Sequence, residues 1–322
     1  MQTKNQIHFE QINKNKADFS SIYCQLDPRL YFRELGNLDY IIPQVANTVF
    51  QQLVRERLNI LGDGVIRVLD LGASYGVNGA MLKYPVTWDM MRNRYQIAEF
   101  EGLVPDELGR LDSHYYRSWP RRPHVEVIGL DVSQEAIDYA VRVGTLDAGF
   151  AVNLEQDEPG PELVKALQGI DLIISTGSVG YITERTFLKL VKCGLSGRKP
   201  WVASFVLRMF PYDRIADCLL DLGLVTERFE GATFVQRRFA NSEEMKSVVS
   251  RLHRNQVVTT DKEERGYYHA ELFVSRPSQE IARYPINQMV SLASGENRLF
   301  AGLAPRVSVP SEAAADLPPS AH

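Results

Sequence analysis

Cysteine is scarce in this chain, and its scarcity excludes several designs. The 322 residues include three: Cys24, Cys193 and Cys218. None sits at metal-ligand spacing, and an odd number cannot pair completely. Neither a disulfide scaffold nor a cysteine-ligated metal site is expected, and a reduced, cytoplasmic setting fits. Long apolar runs are missing too. None approaches the ~20 residues that a membrane span needs. Residues 1–12 are polar and mixed in charge, unlike a signal peptide. Positive charge is not in excess, with 36 Lys and Arg against 40 Asp and Glu. A net charge of −4 argues against a general nucleic-acid binder. No internal repeat is visible.

What is present is one informative stretch, Ile66 to Leu82, IRVLDLGASYGVNGAML. Ile66 to Asp70 reads as a buried parallel strand. A turn of small residues follows, and then a helix begins. A strand running through a glycine turn into a helix forms a binding crevice at the carboxyl end of a parallel sheet. Asp70, Gly72 and Gly76 stand at D-x-G-x-x-x-G spacing. Neither glycine has a Cβ to obstruct a tight turn or a close approach by a ligand.

This stretch resembles motif I of the class I S-adenosylmethionine (SAM) methyltransferases, with Ser74 in place of the middle glycine. A dinucleotide fingerprint, G-x-G-x-x-G, fits less well. The resemblance covers roughly Val65 to Ser275. It implies an α/β, Rossmann-like fold with helices on both faces of a sheet ordered 3-2-1-4-5-7-6, the seventh strand antiparallel. Strands are expected at His124–Asp131, Ala148–Leu154, Ile170–Thr176 and Pro200–Leu207. Thr233–Phe239 and Tyr267–Val274 alternate as half-buried strands and form the expected antiparallel pair. Before this domain, residues 1–64 read as a helical arm with a long helix from Gln44 to Leu61. Its Tyr23, Tyr31, Phe32 and Tyr40 leave two readings open, packing or a lid. Residues 84–122 are an insertion rich in Arg, Trp and Tyr, either a cover for the pocket or a docking face. Residues 277–322 read as an extended, largely disordered tail.

The same resemblance implies the cofactor contacts. Asp70, Gly72, Ala73, Ser74 and Gly76 would form the turn around SAM. Asp131, followed by Val132, would accept both ribose hydroxyls. Asn153 and Leu154 would meet the adenine, although Asn153 reads equally well as a turn cap. Ser175, Thr176 and Gly177, with Ser178, would line the floor near the methionine end. Tyr181 would sit at the mouth. Ser204, polar within an apolar strand, is either a core hydroxyl or faces the pocket. No histidine falls in these turns, so no general base is evident. The expected activity is a SAM-dependent reaction on a small molecule, most simply methyl transfer in secondary metabolism, with Tyr181 and Ser204 as the candidate catalytic residues. The turn Thr176 to Glu184 (TGSVGYITE), with Asn153 and Ser204, is also similar to enzymes that cyclise SAM to azetidine-2-carboxylate. That similarity implies an attack by the SAM amino group on its own Cγ, and an aromatic contact from Tyr181 to the sulfonium. A third reading is a non-catalytic SAM-binding protein that docks through its insertion. Oligomeric state is not legible.

Overall fold

A computed structural model describes residues 9, 12, 13, 16, 19–62, 64–194 and 197–292. Two short helices, α1 (Ser20–Tyr23) and α2 (Arg29–Gly36), precede a long one, α3 (Ile42–Leu61). Then come β1 (Ile66–Leu71), α4 (Val77–Lys83), α5 (Trp88–Arg94), α6 (Pro105–Arg117), β2 (Val125–Asp131), α7 (Gln134–Val143) and β3 (Ala148–Ala151). The next elements are α8 (Pro161–Leu167), β4 (Leu172–Thr176), α9 (Glu184–Gly194), β5 (Trp201–Leu207) and α10 (Asp213–Asp221). The described part closes with β6 (Val225–Arg228), β7 (Phe234–Arg238), α11 (Ser242–Arg254), β8 (Tyr267–Arg276), α12 (Ser278–Arg283) and α13 (Ile286–Met289). No helix among the described residues is long and apolar enough to cross a membrane.

The sheet runs β3-β2-β1-β4-β5-β8-β6, with β7 also paired to β8. Strands β1 to β5 are parallel, and β8 is antiparallel to β5. The chain therefore has the expected class I methyltransferase strand order, with one addition. Val225–Arg228, not expected as a strand, pairs with the end of β8, from Val225↔Arg276 to Arg228↔Phe273. β7 then pairs with the other end of the same edge, from Phe234↔Ala270 to Arg238↔Tyr267, with an irregularity after Val235. The outermost strand is thus broken in two. Four residues of β6, half-buried or exposed, are too few to show a clear alternation in sequence.

β1 shows why the central strands read as continuous apolar runs. Every residue except Arg67 is buried, because helices cover both faces. The arm divides in two. Helix α3 belongs to the α/β layers, with Val45, Val49, Phe50 and Leu53 in the sheet's core. Its first turn carries Pro43 and begins two residues before the expected start. Helices α1 and α2 lie instead on a second apolar cluster shared with α4, α5, α6 and α7. The tail expected from residue 277 is helical where it is described. Ile286, Met289 and Val290 are buried in the main core, so apolar contact rather than periodicity sets this segment. Residues 293–322, expected to be disordered, lie outside the described residues.

The insertion is anchored by one carboxylate. Asp112 on α6 is fully buried. It accepts from Arg94 Nε at 2.7 Å, from the Tyr95 hydroxyl at 2.7 Å and from the Tyr139 hydroxyl on α7. Replacing it would leave a largely buried guanidinium without its counter-charge. Asp112→Ala is expected to cost about 3 kcal/mol of stability, read from denaturant unfolding.

A candidate ligand site at the carboxyl ends of the strands

The strand order reverses beside β1, between β1 and β4, and a cavity of about 380 Å³ opens there. Crevices outside the carboxyl ends of strands at such a switch point are where open α/β sheets take ligands. One wall is the turn after β1. Gly72 has φ +80° and Gly76 φ +73°. A Cβ on Gly72 would collide with Ser178 Oγ, whose hydroxyl donates to Leu71 O at 2.8 Å. The turns after β1 and β4 therefore touch, and only a residue without a side chain lets them.

The expected ligand residues divide into two groups. Gly72, Ala73, Ser74, Asp131, Val132, Asn153, Leu154, Thr176, Gly177 and Tyr181 all line the cavity. Asp131 is held for its place there. Ser74 N donates to its Oδ2 at 2.8 Å, and Val132 N and Ser133 N donate to its Oδ1 at 2.7 and 3.1 Å. Three backbone donors fix the carboxylate plane and occupy three of its roughly four acceptor sites. Asn153 lies beyond the end of β3 and does two things. It lines the cavity, and its Oδ1 accepts from Glu155 N at 3.1 Å to cap the turn. Gly76 stands outside the lining and starts α4, where a Cβ would meet Thr145 Oγ1.

Ser175 and Ser204 require a correction. Both are fully buried, and they pair in register within the sheet rather than at its rim. Ser204 accepts from the Tyr212 hydroxyl at 3.4 Å, and the Tyr212 ring stacks on Phe273. Ser204 is therefore a core hydroxyl and does not reach the cavity. A strand residue one step short of the rim is enclosed by its neighbouring strands, and spacing alone does not show which step that is.

The cover comes from the arm. Phe19, Tyr23, Cys24, Tyr31, Leu35, Tyr40 and Pro43 line the cavity, and no residue of 84–122 does. The insertion supports the cover from behind. The Trp88 ring meets Tyr31, Phe32 and Tyr40 at centroid distances of 6.1, 5.0 and 5.2 Å. Sequence reading also missed Lys16, Asn78, Gln236 and Arg237 among the lining residues. Gln236 and Arg237 carried a signal, two buried polar side chains within the strand TFVQRRF. Arg237 is paired to Glu244 at 2.7 and 3.1 Å. Lys16 carried none, since it lies on a remote segment. The amide of Asn13 ties that segment down by donating to Gly180 O at 2.8 Å.

Asp70 lies beneath the turn, fully buried, and outside the lining. Its Oδ1 accepts from Asn78 Nδ2 at 3.0 Å, and the same amide reaches Thr176 Oγ1 at 3.2 Å. Desolvation pushes its carboxyl up to about 7, against the Asn78 hydrogen bond and aided by the charge on Asp131. An unfolded aspartate ionises near 3.8. The proton that the folded chain holds therefore contributes stability that is full below that value and is lost as pH rises to about 7. Asp70→Asn is expected to raise the ligand-free melting temperature by several degrees near pH 8 and to change it little near pH 4.

No protein-family model matches the chain, and no curated protein matches it. Its shape is similar to several solved structures. One is the plantazolicin methyltransferase BamL in complex with a desmethylplantazolicin analogue and SAH, 11% identical, over 84% of this chain and 95% of that one, at a TM-score of 0.43. Another is the magnesium protoporphyrin IX methyltransferase ChlM of Synechocystis with bound SAM, 12% identical, over 85% and 92%, at 0.36. A third is a TehB-like SAM-dependent methyltransferase of Corynebacterium glutamicum, 14% identical, over 68% and 85%, at 0.34. The fold assignment rests on the strand order, not on these superpositions.

Proposed function

We propose that this chain is a SAM-dependent enzyme acting on a small molecule, with methyl transfer as its reaction. The observation that carries the reading is Asp131, a carboxylate oriented by three backbone donors at the edge of a crevice that the Gly72 turn opens. That arrangement suits the two hydroxyls of an adenosine ribose. A second feature supports SAM in particular. Asp70 Oδ2, Ser74 Oγ and Asn78 Oδ1 are buried and make no hydrogen bond with the described residues. Buried polar atoms without partners are rare. A carboxylate oxygen, a hydroxyl and an amide oxygen around one turn suit the ammonium of a methionine tail.

When bound, SAM supplies a methyl group activated on a sulfonium. The chain's own residues would do the rest by position. Asp131 would hold the ribose, Asn153 and Leu154 would flank the adenine, and Asn78, which lines the cavity with Asp70 bonded behind it, would face the cationic tail. The aromatic cover would exclude water, which strengthens each of these contacts. Among the described residues no histidine lines the cavity, so proximity and desolvation would carry much of the rate.

One observation favours a second reading, cyclisation of SAM to azetidine-2-carboxylate. The face of the Tyr181 ring takes a cation in this structure, with Lys16 Nζ 4.9 Å from its centroid. A sulfonium held there would gain ~1–2 kcal/mol when desolvated. Ring closure onto Cγ would then expel methylthioadenosine and need no separate acceptor.

Calorimetry tests the shared part. SAM or its homocysteine product SAH should bind in the micromolar range, and Asp131→Ala should weaken binding by roughly 10–100-fold. Tight binding of NADH with none of SAM would overturn the proposal. Incubation with SAM alone, followed by mass spectrometry, separates the two reactions. Unconsumed SAM supports methyl transfer. Methylthioadenosine together with azetidine-2-carboxylate, above a protein-free control, identifies the cyclase.

A further inference from the structure

Both readings need a group to take a proton when the attacking atom is an O–H or N–H, and the turns after the strands offer none. Lys16 does. It lines the cavity, and its Nζ lies 3.3 Å from the Tyr181 hydroxyl and over that ring. No carboxylate forms an ion pair with it among the described residues. The other charged groups that act on it are Arg237 and Glu244, and Glu244 is held in a two-point pair by Arg237. A half-buried lysine against the Tyr181 ring, with no carboxylate paired to it among the described residues, is poorly placed to keep its charge.

Resting on the SAM reading, we propose that Lys16 is the proton acceptor of this site, made neutral by the positive charge of the ligand that loads beside it. Lys16 gives up its proton to solvent as the sulfonium enters. Its neutral Nζ then takes the proton from the attacking O–H or N–H, as that atom bonds to carbon and the carbon–sulfur pair returns to sulfur. Loss of the sulfonium charge leaves Lys16 able to keep that proton until the products leave. Charge and protons balance, and no further reactant is needed. Desolvation, with Arg237 opposing and Glu244 supporting the charge, already lowers Lys16 to about 8 before any ligand binds. A second cation nearby lowers it further, so SAM binding should tighten as pH rises towards about 8 and level off above.

The experiment is calorimetry in two buffers of different ionisation enthalpy, with SAM and SAH as probes, near pH 7, 8 and 9. SAM should release about one more proton than SAH near pH 7, and that excess should fade by about pH 9. The ligands' own α-amino groups titrate in the same range, so the readout is the difference between wild type and Lys16→Met, which should lose the excess. Lys16→Arg keeps a charge that cannot be shed, so it should bind SAM at least ~10-fold more weakly while binding SAH normally. In whichever reaction the SAM incubation identifies, Lys16→Met should lower kcat by roughly 100-fold or more without weakening SAM. An equal proton release in wild type and Lys16→Met, or an unchanged kcat, would overturn this assignment. Failure of SAH to bind the wild-type protein would instead overturn the SAM reading beneath it.

Discussion

The site depends on how closely three turns of backbone approach one another. The turn after β1 passes against Ser178 at Gly72 and against Thr145 at Gly76, both in the left-handed conformation. Interiors pack too densely to absorb an added methyl group at such a point without a shift. If either glycine carried a side chain, the turns after β1 and β4 or the start of α4 would have to move apart. The crevice between them, and the direction in which Ser74 N meets Asp131, would move with them. Asp131 is oriented partly by that donor, so a backbone contact on one strand sets a carboxylate on the next.

Charge is distributed unevenly around the cavity. Asp131 and, beneath the surface, Asp70 lie on the side built by the glycine turn. Lys16 and Arg237 come from the arm and from the sheet edge. Asp70 has no counter-ion among the described residues, and desolvation makes its ionised form costly. Arg237 is neutralised by Glu244, whereas Lys16 has no ion pair among the described residues. A ligand that brings positive charge therefore relieves Asp70 and loads Lys16 at the same time.

The aromatic arm and the insertion work as one body. Tyr31 sits against Tyr23, Phe32, Tyr75 and Trp88 at centroid distances of 5.6, 5.2, 5.6 and 6.1 Å. Such pairs contribute about 0.5–1.5 kcal/mol each beyond their burial. Tyr75 belongs to the glycine turn itself, and its hydroxyl donates to Gln25 O at 2.9 Å. The cover is therefore connected to the site's wall through a side chain of that wall. Asp112 then fixes the insertion behind the cover by joining α6 to α7.

The sequence by itself determined the doubly wound sheet, its parallel order and the positions of its cavity-lining turns. Those features are local. Strand period, small residues in a turn and an acid at a strand end are set within a few residues of one another, so Gly72, Asp131, Asn153 and Thr176 were legible. The tertiary structure alone decided the rest. It enclosed Ser175 and Ser204 within the sheet, because pairing with adjacent strands decides which residue reaches the rim. It broke the outer strand into β6 and β7, because a short edge segment takes its form from β8. It brought Lys16 to Tyr181, 165 positions away in sequence, a contact made by packing and one that no periodicity encodes.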